Sequence, residues 1–271
     1  MGSLRDQHKP HPTAVQFVEA AAKGDLQRVE MWLRGGANVN AADEDGRTAL
    51  MAAYDTGNME MLELLVRYGA DFNVRLWGQY TILMDVAGEG HVELVKLLLE
   101  KGADVNATTY HGFTALMAAA DSGISEIAQA LLKKGADVNA VGGDHQQPVL
   151  FYAARKGHSE MLRLLLEWGA DVSARDFYGL TVLGWAAMKG HAEAVGALLE
   201  KGAEINKEDA QSRTALIWAS IVGHLEVVRL LLDKGTDVNS EDRYGGTALA
   251  YATERGHRKI AKLLRAHGAQ Q

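Results

Sequence analysis

No cysteine occurs anywhere in the chain, so disulfides, thiolate metal clusters and cysteine nucleophiles are excluded. Zinc or iron would have to be held by His, Asp and Glu alone. No HExxH or comparable ligand spacing is present, so neither a metal site nor a cofactor is expected. Proline is almost as scarce, 3 residues against 29 glycines, the balance of a chain with many tight turns between regular elements. No apolar run reaches the roughly 18 residues of a membrane-spanning helix, and no membrane partner is expected. An apolar signal segment is lacking too: residues 1–12 are polar and read as a flexible N-terminal segment ahead of a single domain over residues 13–271. The expected location is cytoplasmic, or periplasmic if an export signal has been removed.

Positive charge is in deficit, with 28 Lys and Arg against 35 Asp and Glu and a formal net charge of -7. That balance disfavours nonspecific attraction to nucleic acid or an anionic membrane, and no nucleic-acid partner is expected. Basic residues do gather near the end of the chain, at Arg255, Arg258, Lys259, Lys262 and Arg265. Their helical spacing reads as a solvated capping face rather than a phosphate track.

What the chain has in abundance is repetition. A Gly-Ala pair, Gly-Thr in one case, begins at Gly36, Gly69, Gly102, Gly135, Gly169, Gly202, Gly235 and Gly268, in steps of 33 residues with a single step of 34. In the same register, Asn40, Asn73, Asn106, Asn139, Ser173, Asn206 and Asn239 close a D-V-N-like triplet, and Thr48, Thr81, Thr114, Pro148, Thr181, Thr214 and Thr247 open a T-A-L-like one. Each unit thus reads as a turn, a short helix capped by the Thr, a Gly at its end, and a second helix such as Val92 to Glu100. Leu94, Val95, Leu97, Leu98 and Leu99 give that second helix an apolar face broader than one unit can bury, so the units must stack.

The period and these motifs resemble the ankyrin repeat family over about residues 13–271, as eight helix pairs from Ala14–Arg34 to Thr247–His267. The resemblance implies an all-α solenoid with β-hairpin-like turns between the helix pairs. It also implies a concave surface built from hairpin tips and first helices, and a role in binding proteins rather than in catalysis. The family's T-P-L-H is altered: Met51, Met84, Met117, Phe151, Gly184, Ile217 and Ala250 stand at the His position, where a methionine serves as soft packing. The 34-residue step falls in the turn from Ala140 to Gln147, which should differ in shape from its neighbours.

Function is to be sought at positions that the repeat leaves free. Two residues after the Leu of each T-A-L triplet stand Ala52, Asp85, Ala118, Tyr152, Trp185, Trp218 and Tyr251, so four consecutive units present a large aromatic. With units about 10 Å apart, these rings would form a ladder about 30 Å long, suited to a helix or an extended peptide. Met188 and Ile221, one helical turn from Trp185 and Trp218, would enlarge it, and Arg155 and Lys189 would add positive charge. Trp77, Tyr110 and Tyr178 on the turn tips are further candidate contacts, while Phe113 and Phe177 are expected to pack between adjacent turns. Acidic Asp45, Asp55, Asp85, Glu89 and Asp121 precede basic Arg155, Lys156 and Lys189, a gradient able to orient a partner.

His91, His158, His191, His224 and His257 recur at the repeat period and read as a structural row, too far apart for shared ligation. Neither the Asp144–His145 pair nor the Asp85–Glu89 pair carries the surroundings of a hydrolytic or acid–base centre, and no phosphate loop is present, so no enzymatic activity is expected. The expectation is a monomeric, non-catalytic recognition scaffold for a protein or extended peptide. The alternatives left open are a solenoid without a specific ligand, natural or engineered, and a binder of a small nucleotide-like ligand near Tyr152.

Overall fold

The computed structural model describes residues 11–75, 77–143 and 145–270, without the side chain of Trp77. Residues 1–10 of the expected flexible segment lie outside the described residues. The chain divides into two compact units, Met1–Val86 with His91–Asp104, and Ala87–Gly90 with Val105–Gln271.

In the first unit α1 (Ala14–Ala22) pairs with α2 (Leu26–Arg34), and α3 (Ala49–Asp55) pairs with α4 (Met59–Arg67). Next along the chain come α5 (Ile82–Glu89), whose last residues belong to the second unit, and α6 (Val92–Glu100), which packs on α4. The second unit contains five pairs: α7 (Ala115–Ser122) with α8 (Ser125–Lys133), α9 (Val149–Lys156) with α10 (Ser159–Glu167), α11 (Val182–Lys189) with α12 (Ala192–Glu200), α13 (Ala215–Val222) with α14 (Leu225–Asp233), and α15 (Ala248–Glu254) with α16 (Arg258–Ala266). First helices pack on first helices and second on second, as the expected all-α stack requires.

Helices of seven to nine residues are marginal alone, so their stability comes from capping and stacking. The threonines cap as their position implies: Thr48, Thr114, Thr181, Thr214 and Thr247 each accept a hydrogen bond from the amide three residues on, at 3.0 to 3.4 Å. Burial then follows helical spacing, as in α14, where Val227, Val228, Leu231 and Leu232 are inside. Met84, Met117, Phe151 and Ile217 fill the interior at the former His position. Gly184 leaves a gap there that Leu180 occupies, close enough that a Cβ on Gly184 would lie 2.5 Å from Leu180 Cδ1.

Two polar rows tie successive pairs. Asn139 Nδ2 donates to the Gly169 carbonyl at 3.3 Å, and its Oδ1 accepts from the Asp171 amide at 2.9 Å; Asn40, Asn106 and Asn239 repeat both bonds. Ser173 is too short for this bridge, and its hydroxyl turns back to Asp171 Oδ1 at 2.7 Å. Histidines form the second row. His158, His191 and His224 place Nε2 3.0 Å from the carbonyls of Asp121, Arg155 and Met188, and His257 lies 3.2 Å from that of Ile221, so Nε2 carries the proton and donates. Each ring covers the glycine closing the first helix of the preceding pair: Gly190 adopts φ 82°, and a Cβ there would lie 2.5 Å from His224 Nδ1. These four periodic histidines are structural.

Turns between pairs carry single antiparallel bridges at Ala42–Thr48, Arg175–Thr181 and Glu241–Thr247. The turn with the added residue differs, as expected, by forming β1 (Val141–Gly142) and β2 (Gln147–Pro148), paired in antiparallel register. Gly142 lies so near the Gly112 carbonyl that no side chain would fit.

Candidate functional site

Four first helices of the second unit, α9, α11, α13 and α15, carry Tyr152, Trp185, Trp218 and Tyr251 in equivalent positions. The polar ends of three of these rings are anchored in the preceding turn. Asp176 accepts the Tyr178 and Leu180 amides on Oδ1, at 2.9 and 3.0 Å, and Trp185 Nε1 on Oδ2 at 2.8 Å. Asp209 repeats this with Gln211, Arg213 and Trp218 Nε1 at 3.0 Å, and Asp242 does so with Tyr244, Gly246 and the Tyr251 hydroxyl at 2.6 Å. A buried carboxylate thus receives charge-assisted bonds on both oxygens and fixes hairpin and helix together. In the first unit Asp43 holds its turn the same way, but Ala52 stands where the ring would be.

The same contacts set the protonation of the last anchor. Burial pushes the Asp242 carboxyl up, but hydrogen bonds from Tyr251, Gly246 and Tyr244, with the charge of Arg213, outweigh it and hold the group below the ordinary carboxylate range. Tyr251 is correspondingly raised, first by its bond to the Asp242 carboxylate, then by burial and by that carboxylate's charge.

Tyr152 departs from the expected exposed ladder. It is only 6% exposed, its hydroxyl donates to the Gly142 carbonyl at 3.1 Å, and Phe113 packs edge-on against it at 5.6 Å between centroids. Its turn has Gly142 where the others have Asp, and the ring closes over that turn instead of facing outward. Trp185, Trp218 and Tyr251 remain half-buried, as do Met188 and Ile221, and Val222 beside them is exposed. Arg155 lies over Tyr152 at 5.5 Å, Lys189 over Trp185 at 5.5 Å and Arg213 over Trp218 at 4.0 Å.

Charges are partly matched within each unit. Asp121 pairs with Arg155 at 2.5 Å and Lys156 at 3.8 Å; in the first unit Asp55 pairs with Arg47 at 2.6 Å, and Asp85 receives the Tyr54 hydroxyl. Lys189 is exposed and has no ion pair among the described residues. Arg255, Arg258, Lys259, Lys262 and Arg265 are all exposed, in keeping with a solvated face.

On the turn tips Tyr110 is 76% and Tyr178 56% exposed, whereas Trp77 has its side chain outside the described residues. Phe113 packs as expected. Phe177 does not: it is 75% exposed, its ring perpendicular to that of Tyr178 at 5.4 Å between centroids. Tyr244, 78% exposed, was not singled out from the sequence, although Tyr244-Gly245 repeats the Tyr178-Gly179 pattern. Asp144, of the Asp144–His145 pair, lies outside the described residues. Among the described residues no group of three or more His, Asp or Glu side chains is placed to hold a metal ion, and no helix is long and apolar enough to cross a membrane.

Away from these rings, the second helices α10, α12 and α14 border an open groove of about 680 Å³. Gly196 makes it, standing in α12 where α10 and α14 carry Arg163 and Arg229. Its cations are already paired, Arg163 with Glu200 and Arg229 with Glu226, so the groove offers little unsatisfied charge for a ligand.

The family model of ankyrin repeats in three copies matches residues 17–109, 75–142, 140–209 and 183–271. A comparison with curated proteins finds no match.

Proposed function

Since the chain belongs to the ankyrin repeat family, whose members are generally non-catalytic scaffolds for protein–protein interaction, we propose that it recognises a protein or extended peptide on the ring-bearing face of its second unit. The observation that carries this reading is the division of labour within Trp185, Trp218 and Tyr251. Their polar ends are consumed by Asp176, Asp209 and Asp242, while the rings stay half-exposed beside Met188, Ile221 and Val222. A partner therefore meets apolar ring surface held rigidly in place, the kind of preorganised patch that concentrates binding energy. Tyr110 and Tyr178 extend the contact along the turn tips, with Arg155 and Lys189 supplying charge. Tyr152, buried under its own turn, contributes by positioning Arg155 and not by touch, which also removes the stacking surface that a nucleotide-like ligand would need.

The test is affinity capture from cell extract with the parent chain and with Ile221→Lys and Met188→Lys, neither of which removes an aspartate anchor. A partner held by the parent and lost by both folded variants supports this face as the recognition surface. Equal recovery by all three sinks it.

A further inference from the structure

The surface around the rings is not uniform, and its pattern specifies a partner. At the C-terminal ends of α9 and α11 lie Arg155, Lys156 and Lys189, of which the first two share the carboxylate of Asp121. Lys189 is left exposed above the Trp185 ring without an ion pair among the described residues. The next first helix, α13, carries no charged residue at all, from Ala215 to Val222. It is still not a core helix: Trp218 and Ile221 are half-exposed and Val222 is exposed. Its neighbours carry charge at their ends: Lys189 in α11 and Arg255 at the end of α15 stand in register with Val222, and Glu254 stands in register with Ile221. A cationic step is thus followed, one helix spacing of about 10 Å further on, by a helix without charge of its own, whose Trp218 ring is overlain by Arg213, a cation already paired with Asp209.

Resting on the reading of this face as the recognition surface, we propose that its partner is an acidic peptide segment. One or more carboxylates meet Lys189 and Lys156, and a large apolar side chain about 10 Å along seats on Trp218, Ile221 and Val222. Charge complementarity selects the sign. A basic segment would set its cations against Lys156 and Lys189, and a purely apolar one would bury the Lys189 ammonium without a counter-ion, which is costly.

The experiment is selection of a phage-displayed random dodecapeptide library on the full chain. Recovered peptides are resynthesised and titrated calorimetrically at low and high salt against the parent, Lys189→Glu and Ile221→Lys, each variant first shown to melt like the parent. The expected result is a recovered set with net negative charge and a large apolar residue. Its affinity should weaken with salt, and each of the two substitutions should reduce it by about tenfold or more. Neutral or basic peptides, or acidic ones indifferent to Lys189→Glu but lost with Ile221→Lys, would overturn the acidic partner while leaving the recognition face standing. No recovered peptide, or binding that neither substitution changes, would overturn both.

Discussion

Ser173→Asn should stabilise the protein. In the pair before it, Asn139 reaches both the Gly169 carbonyl and the Asp171 amide, and in the pair after it Asn206 accepts from the Asp237 amide at 2.9 Å. Ser173 occupies the same register, with the Gly202 carbonyl and the Glu204 amide in the corresponding places, and a cavity of about 40 Å³ bordered by Ser173, Gly202, Ala203 and Glu204 leaves room for the longer side chain. The Ser173 amide bond to Asp171 Oδ1 would survive, as its equivalent does in Asn139, while the 2.7 Å bond from the Ser173 hydroxyl would be lost. Two bonds gained at about 0.5–1.5 kcal/mol each, less the one surrendered, leave the worth of one bond, a gain of about 0.5–1.5 kcal/mol. For a chain of this size that is a rise in Tm of about 1–6 °C, read by circular dichroism and by urea unfolding. Asn139→Ser is the reverse experiment and should lose a similar amount. Hydrogen exchange at the Glu204 amide should slow in Ser173→Asn, since the added bonds act between neighbouring units. If Asn139→Ser destabilises and Ser173→Asn does not stabilise, the equivalence of the two sites is refuted.

Three further outcomes follow from the same geometry. The Ser220 hydroxyl is fully buried in α13 without a hydrogen-bond partner, where Ala120, Ala154 and Ala187 stand in register; Ser220→Ala should gain about 1 kcal/mol in urea unfolding, and a loss would reveal a bond the structure does not contain. Ser212 holds φ 60° at a turn position occupied elsewhere by Gly46, Gly112, Gly179 and Gly245, so Ser212→Gly should gain about 0.5 kcal/mol, the relief of strain exceeding the added freedom of the unfolded chain. Asp242, held low in the fold, contributes stability that is complete above the ordinary carboxylate pKa of about 3.9 and is lost as pH falls through its lower folded value. Tyr251, held high, contributes stability that is complete below about pH 10 and is lost as pH rises through its raised value. Unfolding free energy measured against pH should show both limbs, and Tyr251→Phe should remove the alkaline one.

The repeat made most of the fold legible, because each unit states the same instructions: the Thr that caps, the Gly that ends a helix, the apolar face that needs a neighbour. Rows that join units were visible as periodic Asn and His, but their partners lie about thirty residues away and belong to the stack; only the structure shows His224 donating to the Met188 carbonyl. At the candidate site the ring positions were readable and their surroundings were not. Asp176, Asp209 and Asp242 each precede their ring by nine residues, a spacing that would have identified the anchors. Tyr152 breaks that spacing because its turn has an added residue and Gly142 in place of Asp, and it is the ring that ends up buried. Phe177 and Tyr178 are adjacent in sequence, so nothing local told which would face outward; both do.

The central claim is that these rings serve the fold through their polar ends and recognition through their faces. Binding and stability should therefore separate in a single comparison of Trp218→Phe with Ile221→Lys. Trp218→Phe removes the Nε1 bond to Asp209 and keeps most of the ring face, so it should cost about 1–2 kcal/mol of stability and leave partner binding within a few-fold of the parent. Ile221→Lys touches no anchor and should leave the melt nearly unchanged while abolishing binding. If both variants lose stability and binding in proportion, the rings act on recognition only by holding the fold together, and the proposed face is not the binding surface.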